Sequence, residues 1–344
     1  MSSAESVGFI KPKHWLDSDG NPRRAGYEFE LGNLTIEEIA DALHKSFGGR
    51  LDKISAFEVL VLASKIGKIK IERDTRVLTS LKYREWMSNI GIDFSPGAEG
   101  ELLEREVDKL SRWIVPCEIV TEPLLFEQFA ELLELVRILD EHEAQGTQVA
   151  LHYAFGLHIN ISIPDFSSET LLHYLQAFVM LVEWIIQDAN TDLTRRFLTN
   201  YIDPFPQVYV RKILDPDYKP DASELIDDYL AYNATRNRAL DMLPIFCMMA
   251  PEKLDQAIDP DERGLIKGRP AFHYRLPDCR VGKEGWHITQ EWNRWQLVET
   301  IAADKTLRYD LMDLWQKEHA SIKLIPSNQW SQVVGRFLKE QKLR

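Results

Sequence analysis

The chain has 344 residues, 44% of them hydrophobic, and a formal net charge of −13. That length can bury a large core in one elaborated domain or two smaller ones, and nine Trp with fifteen Phe exclude a disordered chain. The acidic balance disfavours sequence-independent nucleic-acid binding and leaves room for a local basic pocket for phosphates.

Three well-separated cysteines, Cys117, Cys247 and Cys279, lack any C-x-x-C spacing. They read as reduced, mostly buried thiols rather than a disulfide frame or zinc site. Met1 to Gly8 lacks the basic-then-apolar order of a signal peptide. The most apolar run, Leu171 to Ile186, carries His173, Gln176 and Glu183 and reads as a buried core helix rather than a membrane span. The expectation is a cytoplasmic protein with no nucleic-acid or membrane partner.

In chain order, residues 1–24 read as an N-terminal extension ending in a turn-like Asp-Ser-Asp-Gly-Asn-Pro run. Residues 25–344 read as a single domain whose last part, from about 286, is helical. In Gly26-Tyr27-Glu28-Phe29-Glu30-Leu31, apolar residues alternate with acids, so a strand puts both carboxylates on one face. Thr35 with Glu38 predicts a capping box opening a helix to about Phe47. Strands are expected at 56–63 and 68–73 with a hairpin at Ser64–Gly67, then helices near 80–89 and 99–112. Cys117–Thr121 predicts a short strand, and Phe126 to about Glu143 an amphipathic helix. A strand at Phe155–Ile163 precedes a long helix near 168–189. The proline-rich stretch 203–220 predicts a loop, a candidate lid. A helix near 222–232, an apolar segment to Met249, a loop at 250–270 and a strand at 271–275 follow.

The strand at 155–163 alternates without a break: Leu157, Ile159 and Ile161 face one way, His158, Asn160 and Ser162 the other. Glu118, Val120 and Glu122 share a face, as do His273 and Arg275. Segments far apart in sequence therefore each resemble a half-buried strand with acid, His, Asn or Arg on its polar side. The implied class is α+β: an antiparallel sheet with helices on its apolar face and a polar, metal-binding face opposite. Two His and three Glu arriving on polar faces point to a Mg²⁺ or Mn²⁺ site, and Arg275 is suited to clamp phosphate. Lys68, Lys70 and Glu72 read as an ordinary solvated face. Trp286, Trp292 and Trp295 read as core, and Cys117 lacks a visible base that would make it a nucleophile.

Gly26-Tyr27-Glu28-Phe29-Glu30, Glu118-Ile119-Val120-Thr121-Glu122-Pro123-Leu124, Gly156-Leu157-His158-Ile159-Asn160 and His273-Tyr274-Arg275 occur in the order seen in the amidoligase family. That family belongs to the carboxylate–amine ligase superfamily of glutamine synthetase and glutamate–cysteine ligase. Residues 233–244 also resemble a segment of some members, and the resemblance spans roughly residues 25–280. It implies the catalytic-domain fold of that superfamily and an ATP-dependent ligase that forms an amide through an acyl phosphate.

By this resemblance Glu28, Glu30 and Glu118 hold Mg²⁺ or Mn²⁺. His158, with Asn160 beside it, serves both metal and nucleotide phosphates, and Arg275 binds the transferring phosphoryl group. Asp74 resembles the strand-ending acid that faces the substrate; it or Glu122 would accept the amine's proton. Glu122, Arg236 and Arg238 fall on the substrate side, with small-molecule or peptide carboxylates and amines as substrates. A helix-end salt bridge explains the two arginines equally well. One departure stands out: the family carries Glu two residues before the Arg, where this chain has His273. A nucleotide- or peptide-binding protein without turnover and a metal-dependent hydrolase are the alternatives at this point.

Overall fold

A computed structural model describes residues 8–55, 57–73, 117–142, 155–191, 202–319 and 329–344. Its strands are β1 (Arg24–Leu31), β2 (Arg50–Ser55), β3 (Glu58–Ser64), β4 (Gly67–Arg73), β5 (Cys117–Thr121), β6 (Leu124–Leu125), β7 (Leu157–Ser162), β8 (Leu240–Asp241) and β9 (Ala271–Tyr274). Their order in the sheet is β2-β3-β4-β5-β1-β7-β9-β8, with β6 pairing the start of β1. Every ladder among these strands is antiparallel. The α+β class with an antiparallel sheet is therefore present as expected.

The period-2 patterns are realised residue by residue. Tyr27, Phe29, Leu31, Ile119, Leu157, Ile159, Ile161 and Phe272 are buried on one face. Helices cover that face because their own apolar stripes need a partner. Among the described residues they are α1 (Ile36–Phe47), α2 (Glu131–Glu141), α3 (Ser168–Ala189), α4 (Gln207–Ile213), α5 (Ala222–Asn233), α6 (Leu243–Met249), α7 (Pro251–Ala257), α8 (Pro260–Arg263), α9 (Ile288–Ala303), α10 (Lys305–Glu318) and α11 (Gln329–Glu340). Tyr174 of α3 stacks on Phe272 at 4.4 Å, and Trp295 of α9 packs 5.3 Å from Tyr274. Trp292 and Trp295 are core residues, as their helical spacing implied. By length and composition α3 could cross a membrane, yet 67% of its most apolar stretch is buried in this core.

Several local expectations are corrected. Thr35 stands at the N-cap of α1 in extended conformation, but its side chain caps nothing; the acidic first turn, Glu37 and Glu38, supplies the favourable helix-dipole interaction instead. The segment 126–143 does not form one helix: a 3₁₀ turn at Phe126–Gln128 precedes α2. The supposed loops at 203–220 and 250–270 contain α4, α7 and α8, because a Pro at the N-cap, as in α4, or in the first turn, as in α7 and α8, removes no needed donor. The strand Arg50–Ser55 went unforeseen. The hairpin at Ser64–Gly67 is present and depends on Gly67, at φ +77°, where a Cβ would lie 2.4 Å from the Glu122 carboxylate. The helices expected near 80–89 and 99–112 lie outside the described residues.

The stretch before β1 packs into this core through Phe9 and Trp15 and carries a buried guanidinium, Arg23. Arg23 donates to both oxygens of Glu299 on α9, at 2.9 and 2.8 Å, and to the carbonyls of Ser162 and His14. Glu299 also accepts from Tyr174 and Trp295, so the ion pair is buried with its lone pairs filled. Breaking such a pair leaves a buried charge unanswered, at a cost of about 3–5 kcal/mol. Arg23→Met alone should lower stability by that amount in urea denaturation. Arg23→Met with Glu299→Leu should cost less than Arg23→Met alone, and a double variant worse than the single would contradict this account.

Candidate metal centre on the polar face of the sheet

Strand register gathers the polar side chains into rows. Glu28 of β1 lies opposite His158 of β7 on one side and Val120 of β5 on the other. Asn160 pairs with His273 of β9, which pairs in turn with Asp241 of β8. Directly opposed residues share a face, so Glu28, His158, Asn160, His273 and Asp241 converge on the side away from the helices.

At the centre, one ligand atom each from Glu28, His158 and His273 lies within 4.8 Å of the others. Both imidazoles are buried, and the Nε2 atoms of His158 and His273 have no hydrogen-bond partner. The Glu28 carboxylate takes the Nδ1 of His158 at 3.2 Å on Oε2 and the amide of Asn160 at 2.7 Å on Oε1. Arg269, just before β9, reaches both Glu28 and Asn160 at 3.4 Å. Burial works against the charged form of Glu28, but the His158 hydrogen bond and the neighbouring positive groups outweigh it and hold its pKa well below the usual carboxylate range. Burial pushes His273 down to about 4, leaving it a neutral imidazole. Its Nδ1 lies 3.4 Å from Asp241, so a proton shared there leaves the Nε2 lone pair free. A carboxylate behind a histidine in this way fixes its tautomer and ring orientation for a metal.

The donor set fits a divalent ion: one carboxylate and two buried imidazole nitrogens without a hydrogen-bond partner. Nitrogen donors favour Mn²⁺ and its transition-metal neighbours over Mg²⁺.

The other expected residues fall around this centre. Glu30 places Oε1 3.6 Å from the Nε2 of His158, while its second oxygen accepts the Gly156 N–H at 2.7 Å. Glu118 lies opposite Glu30 and, on its other side, opposite Glu72. Arg275 is buried next to the centre, its charge helping to lower His273, and donates to the Arg236 carbonyl at 2.8 Å. Glu122 sits past the far end of β5 and accepts the Lys68 N–H at 2.8 Å. Arg238 is spent on the end of α5: its guanidinium donates to Asn233, Tyr232 and Pro204. It therefore has the helix-end role, through carbonyl and amide oxygens rather than an ion pair. Asp74 lies outside the described residues. Burial pushes the Cys117 thiol up to about 12, which agrees with its reading as inert.

Two residues of the centre escaped the sequence reading. Asp241 sits on a strand two residues long, too short for a periodic signal, and Arg269 lies in a stretch taken as a plain loop.

An antiparallel α+β fold with a buried carboxylate–histidine cluster on its open face defines a class of candidate metal-dependent proteins. Comparison then places the chain: residues 21–297 match the family described as "putative amidoligase enzyme". The match covers well over half of the sequence, so the chain belongs to that family, whose description is that of a ligase-type enzyme. No curated protein and no solved structure matches the chain significantly.

If Asp241 orients His273, then Asp241→Asn should weaken Mn²⁺ binding by about 10–100-fold in calorimetric titration, with the fold retained. Unchanged affinity would remove Asp241 from the centre.

Proposed function

We propose that the protein is a metal-dependent carboxylate–amine ligase that uses ATP to form an amide bond through an acyl phosphate, on a catalytic-domain fold like that of glutamine synthetase and glutamate–cysteine ligase. Membership of the amidoligase family supports the reaction type. The observation that carries the reading is the cluster of Glu28, His158 and His273, whose buried imidazole nitrogens face a carboxylate with no partner of their own.

In this reading Glu28, His158 and His273 hold a divalent ion, with Glu30 and Glu118 flanking them on the polar face. Such an ion neutralises the charge of nucleotide phosphate oxygens. The chain's own part is preorganisation. Asn160 and His158 fix the Glu28 carboxylate, and Asp241 fixes His273. Arg275, always charged and held in place by the Arg236 carbonyl, is the group assigned to the transferring phosphoryl. Arg236, half-buried on the same loop, is the remaining candidate for a substrate carboxylate. The substrates are then a small-molecule or peptide acid and an amine, met in the cytoplasm where ATP is available.

Binding without known substrates is measurable. ADP with Mn²⁺ should raise the thermal midpoint, since occupancy at about 100 times Kd adds roughly 2.7 kcal/mol. Glu28→Gln or His158→Ala should abolish that metal-dependent shift, and no shift with any divalent ion would count decisively against ATP chemistry. His273→Glu tests the unusual histidine: it should move metal preference from Mn²⁺ toward Mg²⁺, because it exchanges a nitrogen donor for a hard oxygen. Release of ADP that requires both an acid and an amine distinguishes a ligase from a hydrolase working on the same centre.

A further inference from the structure

Across the sheet from the metal centre, the helix layer contains a cleft of about 410 Å³ between α3, the loop after α4, and α10. Three cations, Lys219, Lys305 and Arg308, line it, against two exposed acids, Glu169 and Asp215. Two long helices begin there, α3 with Ser168 and α10 with Lys305, the second of them already capped by Asp304.

Arg308 is the telling residue. It is only 3% exposed, yet no carboxylate lies within ion-pair distance of its guanidinium among the described residues. Its partners are neutral: the Ala302 carbonyl at 2.6 Å and the Nε2 of His173 at 2.9 Å, while its Nε is buried without a partner. A buried cation answered only by neutral groups is electrostatically unfinished. The nearby acids do not complete it. Glu169, with its side chain 82% exposed, lies 3.9 Å from His173 rather than on Arg308, Asp215 accepts the Asp217 N–H, and Asp304 caps α10 through the Leu307 N–H. His173 feels the same field: burial first, then the charge of Arg308, outweigh the Glu169 carboxylate and push its pKa down to about 4.

We propose that this cleft binds a small organic anion bearing a phosphate or carboxylate group, seated against Lys219 and Lys305 with the Arg308 guanidinium behind them. Leu172, Met312 and the ring of Tyr309 give it apolar wall as well, which suits an organic ligand better than a bare inorganic ion. Lys305 and Arg308 both lie against the Tyr309 ring, at 5.8 and 5.9 Å, which keeps the two cations on a common wall.

The test uses the full-length protein, with inorganic phosphate and malonate as probes and chloride at matched ionic strength as the control. One or both probes should raise the thermal midpoint saturably above chloride, phosphate alone indicating a phosphate-bearing ligand and malonate alone a carboxylate. In the double variant Lys219→Ala/Lys305→Ala, whose changes are on exposed side chains, apparent affinity should fall by about tenfold or more, the loss of charge-assisted hydrogen bonds. Glu28→Gln should retain the shift, which separates this cleft from the metal centre. The proposal fails if neither probe exceeds chloride, if the double variant responds like the parent, or if Glu28→Gln alone abolishes the response.

Discussion

The register of β1 is the constraint on which the rest of this structure depends. The strand lies between β5 and β7, and its side chains alternate between a face that must be dry and a face that must be polar. In the observed register Tyr27, Phe29 and Leu31 are fully buried while Glu28 meets His158 and Glu30 meets Glu118. A slip of one residue would send both carboxylates into the helix-covered core and three large apolar groups into the open. Hydrophobic burial therefore fixes the geometry of the candidate site: the same alternation that builds the core aims the acids.

That face is costly in electrostatic terms. Glu30, Glu118, Glu72 and Glu58 follow one another as direct cross-strand neighbours on β1, β5, β4 and β3. Like charges directly opposite destabilise a sheet; in this row Lys70 pairs with Glu72 and Glu30 accepts the Gly156 N–H. The acidic row lies on the same face of the sheet as the His158–His273 pair. Arg269 gives a partial answer from the side. It is an exposed residue that places a single N–H against Glu28 and Asn160 at hydrogen-bond limits, close enough to offset charge and too weakly held to fill the centre.

Much of this was legible in the sequence because alternation is a strong signal. Strands β1, β7 and β9 each carried a polar–apolar alternation, and Glu28, His158 and His273 from them converge on the centre. What escaped lacked that signal. Arg50–Ser55 is an edge strand, mostly exposed and polar, that exists because its backbone completes the ladder of β3 rather than because its side chains demand burial. Asp241 is brought to His273 by a two-residue strand whose location only the whole sheet determines. The helices α4, α7 and α8 hid behind prolines, which mark helix starts as readily as loops. Arg238 shows the converse limit: its type and neighbourhood fitted a substrate carboxylate, but three oxygens around the end of α5 had already claimed its donors.

Two buried arginines on the helix-covered side show what this fold can and cannot satisfy for itself. Arg23 receives a bidentate carboxylate from Glu299, which is in turn filled by Tyr174 and Trp295, so charge and hydrogen bonds close within the chain. Arg308 lies on the same layer at similar burial and receives a carbonyl and an imidazole. The two shift in opposite directions: the Glu299 charge raises the pKa of Arg23 against burial, whereas burial prevails over the more distant Tyr309, Glu169 and Asp304 and lowers that of Arg308. A protein with 54 acidic residues has no shortage of carboxylates to place beside an arginine. Among the described residues none lies within ion-pair distance of Arg308, while a cleft lined by two further lysines opens beside it, so the gap is a property of the site rather than of the supply of acidic groups.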